Sequence, residues 1–239
     1  MSDTKILGVI PARSGSTRVE NKNIREVGGE PLIAHAINHA DESELIDVAV
    51  VSTDDNEIRE VARKYGGFAP FKRPEELATE DASINPVVSH ALNWFKNKGK
   101  EFDIVCLIHA TTPLRKPKDI DECLKMLINE GAKSVVSVSE FINPPQWSVE
   151  KGENGYLSEY FDLGVLWGDL LRTQELNKHI YSNTAVLAAK TQAWEESQTF
   201  YTNETISYEM PEIRSFDIDE PWELTLVRAL YNHLNNKQA

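Results

Sequence analysis

The run Pro11-Ala12-Arg13-Ser14-Gly15-Ser16-Thr17-Arg18 places one glycine, three hydroxyl side chains and two arginines directly after a short apolar segment. Glycine lets a backbone turn tightly and approach a bound anion, while the hydroxyls, main-chain NH groups and Arg13 supply donors. Lys22 and Asn23 follow closely, the lysine adding a mobile cation. The chemistry these types suggest is a polyphosphate cradle; a solvated polar connection is the plain alternative. Far along the chain, Asp217 and Asp219 alternate within a segment that reads as a strand, Arg214–Ile218 and its continuation, so both carboxylates are expected on one face. Two hard oxygen donors on one face suit Mg²⁺, which keeps several waters and takes one or two protein carboxylates. An exposed acidic pair is the alternative there.

Other chemistries find less support. The loop has neither the G-x-x-x-x-G-K-[ST] nor the G-x-G-x-x-G spacing, so P-loop and dinucleotide mechanisms are not indicated. No G-x-S-x-G elbow occurs for a serine hydrolase. His35 and His39 share a helix face, but Ala36 stands where a zinc protease would need glutamate. Cys106 and Cys123 sit inside regular elements without partners at metal spacing and read as buried reduced thiols.

The elements that must position these groups alternate. Lys5–Ile10 reads as a buried strand, residues 31–40 as a helix with Pro31 in its first turn, Ile46–Ser52 as a strand and Glu57–Tyr65 as a helix ending at Gly66-Gly67. A helix at Ile84–Lys98, a strand at Asp103–His109, a helix near Lys118–Asn129 and a strand at Ser134–Val138 continue the pattern. Apolar strands separated by helices imply an α/β fold, a mainly parallel sheet with helices on both faces, and ligands bind beyond the carboxyl ends of such strands. The alternation breaks at 141–180, where prolines, glycines and Trp147, Tyr156, Tyr160, Phe161 and Trp167 argue for an ordered excursion, one that could pack on a second subunit. A strand at Thr184–Ala189 and a helix at Trp222–Leu234 complete the reading: a single domain, 1–239, with 141–180 inserted as a dimerisation or acceptor-side subdomain.

The 239 residues carry 25 Lys and Arg against 38 Asp and Glu, a formal charge of −13, which argues against a nucleic-acid partner and requires any anionic ligand to meet a concentrated basic site. Apolar runs such as Val48–Val51 fall far short of the roughly 20 residues of a spanning helix, so no membrane partner is expected. Met1–Lys5 has no signal-peptide layout, and a cytoplasmic location is the expectation.

The string Ile10–Ile24 resembles the signature that opens the CMP-acylneuraminate synthetases, cytidylyltransferases that activate sialic acids and related nonulosonic acids. Further matches follow in order: Gly29-Glu30-Pro31-Leu32-Ile33, Val51-Ser52-Thr53-Asp54, Arg73-Pro74-Glu75-Glu76-Leu77-Ala78, Thr111-Thr112-Pro113-Leu114-Arg115 and Asp217-Ile218-Asp219. The resemblance implies a nucleotidyltransferase fold, CTP and Mg²⁺, an acidic sugar acceptor, and a homodimer, common in this family. It assigns the triphosphate to Arg13, Ser16 and Lys22, with Ala12, Ser14, Gly15 and Asn23 in the same nucleotide-binding stretch, and base and ribose to Arg73 and Ser83. Asp219 is the expected direct metal ligand and Asp217 the water-mediated one, which makes Arg13, Lys22 and Asp219 the catalytic set. Acceptor contacts fall to His109, Thr111, Arg172 and Gln174. The chain departs from the family where Ser14 replaces a glycine, Thr17 a lysine, Glu20-Asn21 a Pro-Arg pair, and His109 a glutamine on the sugar side. Asn183-Thr184-Ala185-Val186-Leu187 stands for the family's Asn-Gly-Ala-Ile-Tyr. A Kdo-like sugar or phosphonate as acceptor, or a catalytically weak nucleotide-binding homologue, are the alternatives these departures keep open.

Overall fold

A computed structural model describes residues 4–161 and 176–236. In chain order its strands are β1 Ile6–Pro11, β2 Glu26–Val27, β3 Glu30–Pro31, β4 Val48–Ser52, β5 Ile104–Ile108, β6 Ser134–Glu140, β7 Val149–Lys151, β8 Leu157–Glu159, β9 Ile180–Lys190 and β10 Thr205–Glu209. The helices are α1 Leu32–Asp41, α2 Asn56–Lys64, α3 Asn85–Lys96, α4 Pro117–Asn129, α5 Thr191–Ser197 and α6 Pro221–Asn236.

The main sheet has the order β10-β6-β9-β5-β1-β4, and only β9 runs against the rest. Side chains alternate across it with the period of two that a strand dictates. Ile6 and Ile10 of β1 enter a core with Ile33, Ile37, Val51, Ile120 and Leu124, beneath α1 and α4. Leu7 and Val9 point the other way, into a core with Val50, Val88, Phe95, Leu107 and Trp194, beneath α3 and α5. Both faces are therefore covered, as the continuous apolar strands foretold. Local signals fix the helix starts: the Asp55 carboxylate accepts the Ile58 NH at 2.9 Å to cap α2, and Pro117 opens α4 with Asp119 accepting the Lys116 NH at 2.9 Å.

A third, smaller apolar cluster matters most for the site. Val19 from the arginine-rich loop, Leu114 from the segment after β5, and Ile218 from between the two aspartates bury together with Leu32 of α1 and Leu224 and Val227 of α6. Segments almost two hundred residues apart are thus fastened to one another. The β2–β3 turn completes this platform: Gly28 and Gly29 both have positive φ, 63° and 86°, as a two-residue hairpin loop demands, and Tyr231 of α6 lies where a Cβ on Gly28 would be.

Two strand expectations need correction. Arg214–Ile218 is not a strand: Glu212–Arg214 is a 3₁₀ turn, and the chain then continues without regular structure, the Ile218 NH bonded to Thr111 O at 3.0 Å. The sheet edge beside β6 belongs instead to Thr205–Glu209, whose mixed Thr-Ile-Ser-Tyr-Glu pattern suits a strand paired on one side only. The strand expected at Thr184–Ala189 is longer, beginning at Ile180, and antiparallel to both neighbours. Helix α5 was also not foreseen. The Lys5–Ile10, 31–40 and Glu57–Tyr65 boundaries each move by a residue or so, as helix and strand ends commonly do. Within the inserted stretch, β7 and β8 form a hairpin with Tyr156, Leu157, Tyr160 and Phe161 on its exposed surfaces. Trp167 lies outside the described residues.

Cys106 and Cys123 are both buried and unpaired. Burial pushes the Cys106 thiol up to about 12 and the Cys123 thiol well above its ordinary value, so neither carries much thiolate at neutral pH. Native protein is expected to leave both thiols unlabelled by an alkylating reagent at pH 7.5, with two labelled on unfolding in denaturant; fast labelling of the native chain would contradict this packing.

Candidate active site

The carboxyl ends of β1, β4 and β5 open into a cleft of about 380 Å³. Its position follows from the topology: after β1 the chain first builds β4 on one side, then crosses to β5 on the other, and a crevice is left where the order reverses. Arg13, Ser16, Lys22, Asn23, Arg73, Ser83, His109, Thr111, Asp217 and Asp219 all line it. The sequence positions that motif and chemistry singled out, separated by up to two hundred residues, converge there.

The loop after β1 is held from within. The Asn23 amide donates to Arg13 O at 2.9 Å and is buried, so it shapes the loop as well as lining the cleft. Asn21 adopts the left-handed region, φ 54°, to begin the 3₁₀ turn Lys22–Ile24. From this turn Lys22 reaches across the cleft and donates to both Ile218 O and Asp219 Oδ1, each at 2.8 Å. That hydrogen bond holds the Asp219 carboxyl below the usual carboxylate value against the upward push of desolvation, with Lys22, Arg18 and His109 charges adding to it. Gly15, φ 67°, is exposed, with nothing close to where a Cβ would sit.

Two predicted nucleotide residues face elsewhere. Ala12 is buried, and its NH bonds to Ser52 O at 2.9 Å. Ser14 turns away from the cleft to donate its NH, at 2.9 Å, and its hydroxyl to the Asp54 carboxylate. Burial raises the Asp54 carboxyl, but the two Ser14 bonds and the nearby Arg73 charge outweigh it and hold the group low. Ala12 and Ser14 are thus the frame of the loop rather than its lining. The glycine that the family carries at position 14 could not make the hydroxyl bond, so the departure has a structural role. Thr17 and Arg18, likewise, pair with Glu80 at 3.0 Å and Glu220 at 3.4 Å on the rim.

Arg73 is buried, and its guanidinium is bonded to the Ser52 hydroxyl at 3.1 Å and to Ser52 O. Desolvation brings it down to about 10, with Asp54 opposing, so it remains a cation at neutral pH. His109 is half-buried at the exit of β5, and its pKa is lowered by desolvation, with Asp217 and Asp219 opposing and Arg115 and Lys22 adding to it. The imidazole is thus suited to lie neutral against an acceptor, donating from one nitrogen and accepting at the other. Arg172 and Gln174 lie outside the described residues.

The aspartates meet the cleft although their segment is not a strand. Ile218 buries between them with its NH bonded to Thr111 O, and both flanking aspartates line the cleft. Asp217 Oδ2 accepts from the Thr184 hydroxyl at 3.2 Å, while Oδ1 is buried without a partner among the described residues. A buried, unsatisfied carboxylate oxygen beside a half-exposed carboxylate fits a hard divalent cation that brings its own waters. Sequence reasoning did not single out Glu223, which closes α6 onto the site: its carboxylate accepts the NH groups of Asp219 and Glu220, both at 2.7 Å. The signal was present as an acidic third residue of the helix that Pro221 opens, a common helix-capping position. Asp54 and Arg115 stood in matched motifs without a role. Arg115 is almost fully buried and ties His109 O, Thr112 Oγ1 and Ala185 O together at 3.1, 2.9 and 2.8 Å.

A parallel-rich α/β sheet with a cationic loop and a paired carboxylate at its switch point defines a nucleotide-handling enzyme. The family model described as cytidylyltransferase matches residues 7–231. A pseudaminic acid cytidylyltransferase of Campylobacter jejuni is 32% identical over 235 residues, covering 98% of this chain and 99% of its own. A CMP-N,N'-diacetyllegionaminic acid synthase of Legionella pneumophila is 37% identical over 226 residues, covering 92% and 94%. Among solved structures, a CMP:2-keto-3-deoxy-manno-octonic acid synthetase complexed with CTP aligns with a TM-score of 0.68 at 19% identity, over 97% of this chain and 100% of that one, a likeness of fold. The chain belongs to the cytidylyltransferase family and is a CTP-dependent nucleotidyltransferase.

Proposed function

We propose that this enzyme transfers CMP from CTP to the anomeric hydroxyl of a nonulosonic acid and releases pyrophosphate. The observation that carries the reading is the convergence of Arg13, Lys22 and Arg73 with Asp217 and Asp219 in one cleft, in a chain whose relatives are named for pseudaminic and legionaminic acids. In the reaction the hydroxyl oxygen bonds to the α-phosphorus, the bond to the bridging oxygen of the β-phosphate breaks, and the hydroxyl proton passes to solvent. Little covalent work falls to the protein, so positioning and charge neutralisation dominate.

Arg13, Ser16 and Lys22 are assigned to the triphosphate, Gly15 to the open turn that lets it approach, and Arg73, Ser83 and Asn23 to the nucleoside side. Lys22 leaves Asp219 to meet a phosphate, which frees that carboxylate. Asp219 and Asp217 are the groups that would hold Mg²⁺; when bound, the ion neutralises charge on the phosphate oxygens. His109 and Thr111 take the acceptor, with Arg172 and Gln174 as further acceptor contacts. The exposed apolar and aromatic hairpin surface of 141–161 supports a homodimer formed through this excursion. Among the described residues no helix is long and apolar enough to cross a membrane, and use of a nucleoside triphosphate supports work in the cytoplasm.

Pyrophosphate release from CTP and Mg²⁺, measured with N-acetylneuraminate, legionaminate, pseudaminate, Kdo and simple phosphonates in turn, tests the proposal. One nonulosonic acid is expected to give sustained turnover. Turnover with Kdo or a phosphonate alone, or CTP binding by calorimetry without turnover on any acid, would overturn the acceptor assignment. In sedimentation, a monomer at micromolar concentration would remove the role given to the hairpin.

A further inference from the structure

The middle of β9 is irregular in a way that ordinary sheet pairing does not require. Against β6, Val136 pairs with Leu187 and Val138 with Ser182, so Ser137 alone stands opposite the four residues Asn183–Val186. Bulges of this kind re-aim side chains and gather near active sites. Here two side chains take up displaced backbone NH groups. The Ser137 hydroxyl accepts the Val186 NH at 2.8 Å and donates to the Asn183 amide oxygen, which also accepts the Ala185 NH at 3.2 Å. Asn183 Nδ2 then donates to the Ser215 hydroxyl at 2.9 Å, two residues before Asp217. Ser137, Asn183 and Ser215 are all buried.

Within the bulge, Thr184 has φ 57°. A β-branched residue in the left-handed region is an outlier, and such strain costs roughly 1–3 kcal/mol and persists where the surroundings impose it. Glycine would adopt this backbone without that cost. What threonine adds is a hydroxyl whose single proton is shared between Asn183 O at 2.8 Å and Asp217 Oδ2 at 3.2 Å. Its hydroxyl is a side-chain neighbour of Asp217, a cleft-lining residue whose other carboxylate oxygen is buried without a partner among the described residues.

We propose that the Asn183–Thr184 bulge is a positioning element for the divalent cation, with the strained Thr184 hydroxyl fixing one oxygen of Asp217 so that the other is presented to the metal. This rests on the metal role given to Asp217 above. Thr184 touches neither substrate nor metal in this account; it acts through the carboxylate, in the way that partners of metal ligands orient them. Losing such a partner weakens metal affinity about 10–100-fold.

The test compares Thr184→Gly, Thr184→Ser and Asp217→Asn. Mn²⁺, a paramagnetic substitute for Mg²⁺, is titrated into each protein with CTP present and followed by electron paramagnetic resonance, alongside thermal melting. Thr184→Gly is expected to melt at or above the wild-type temperature while binding Mn²⁺ at least about ten-fold more weakly. Its maximal rate at saturating metal should stay within a few-fold of wild type. Thr184→Ser, which keeps the hydroxyl, is expected to restore Mn²⁺ affinity. Unchanged Mn²⁺ affinity in Thr184→Gly, while Asp217→Asn loses it, would overturn the positioning role alone. Unchanged affinity in Asp217→Asn would overturn the metal assignment of Asp217 on which it rests.

Discussion

Asp219→Ala is expected to lower kcat on the order of 10³-fold while leaving CTP binding within a few-fold of wild type. The rate loss follows from removing a carboxylate that would hold the cation offsetting charge on the transferring phosphate, since loss of a single preorganised electrostatic group commonly costs 10²–10³-fold or more. Binding is spared because Lys22, now held only by Ile218 O at 2.8 Å, is released from its carboxylate partner and becomes fully available to the triphosphate. Lys22→Ala should do the reverse in part, raising KM for CTP and leaving Asp219 without the bond that holds its carboxyl low. The two variants therefore separate along different kinetic parameters. Steady-state kinetics at saturating Mg²⁺, with calorimetric titration of CTP, make the comparison. A kcat unchanged in Asp219→Ala would show that Asp219 holds no metal needed for turnover.

The site was legible in the sequence to the extent that local composition encodes it. The loop from Arg13 to Asn23 carries its own evidence in one continuous stretch, and β1 and α1 are set by periodicity on either side of it. Arg73, His109 and Asp217 could be brought to the same place only by the family match or by the sheet order, because nothing local in Arg73-Pro74 or His109-Ala110 announces a shared cleft. What stayed hidden is long-range by nature. The antiparallel run of β9, the edge position of β10 and the Ser137–Asn183–Ser215 network depend on which strand finds which neighbour. An alternating segment such as Arg214–Ile218 looks like a strand until Thr205–Glu209 takes the edge beside β6. Ser14 shows the opposite error: its type and place suggested a ligand contact, whereas Asp54 from the end of β4 occupies both its donors. The convergence of Asp217 and Asp219 was foreseen for a reason the structure replaces, since burial of Ile218 does what a strand's pleat was expected to do.

That replacement makes the anchoring of the acidic segment a matter of stability as well as geometry, and Asp119 is its anchor. Fully buried at the start of α4, its carboxylate receives Arg214 Nε at 3.1 Å and Nη2 at 2.7 Å, the Tyr208 hydroxyl at 3.1 Å and the Lys116 NH at 2.9 Å. A single side chain thus joins α4, β10 and the turn that leads to the aspartates. Removing one member of a buried ion pair costs about 3–5 kcal/mol, because its partners keep their desolvation cost without its bonds. Asp119→Ala is therefore expected to lower Tm by roughly 10 °C for a domain of this size. Arg214→Met should cost at least as much, since it leaves the fully buried Asp119 carboxylate without its cation, and the double variant should fall well short of the sum. Tyr208 adds a pH signature. Burial, then the adjacent Asp119 carboxylate, pushes its phenol above the ordinary value, so the folded state holds that proton after the unfolded chain has released it. Stability should fall as pH rises past the usual tyrosine range of about 10, and Tyr208→Phe should flatten that fall. Thermal melts from pH 7 to 11 measure both effects. An Asp119→Ala protein that melts within 2 °C of wild type would mean that the third apolar cluster of Leu114, Ile218 and Leu224 alone holds the acidic segment in place.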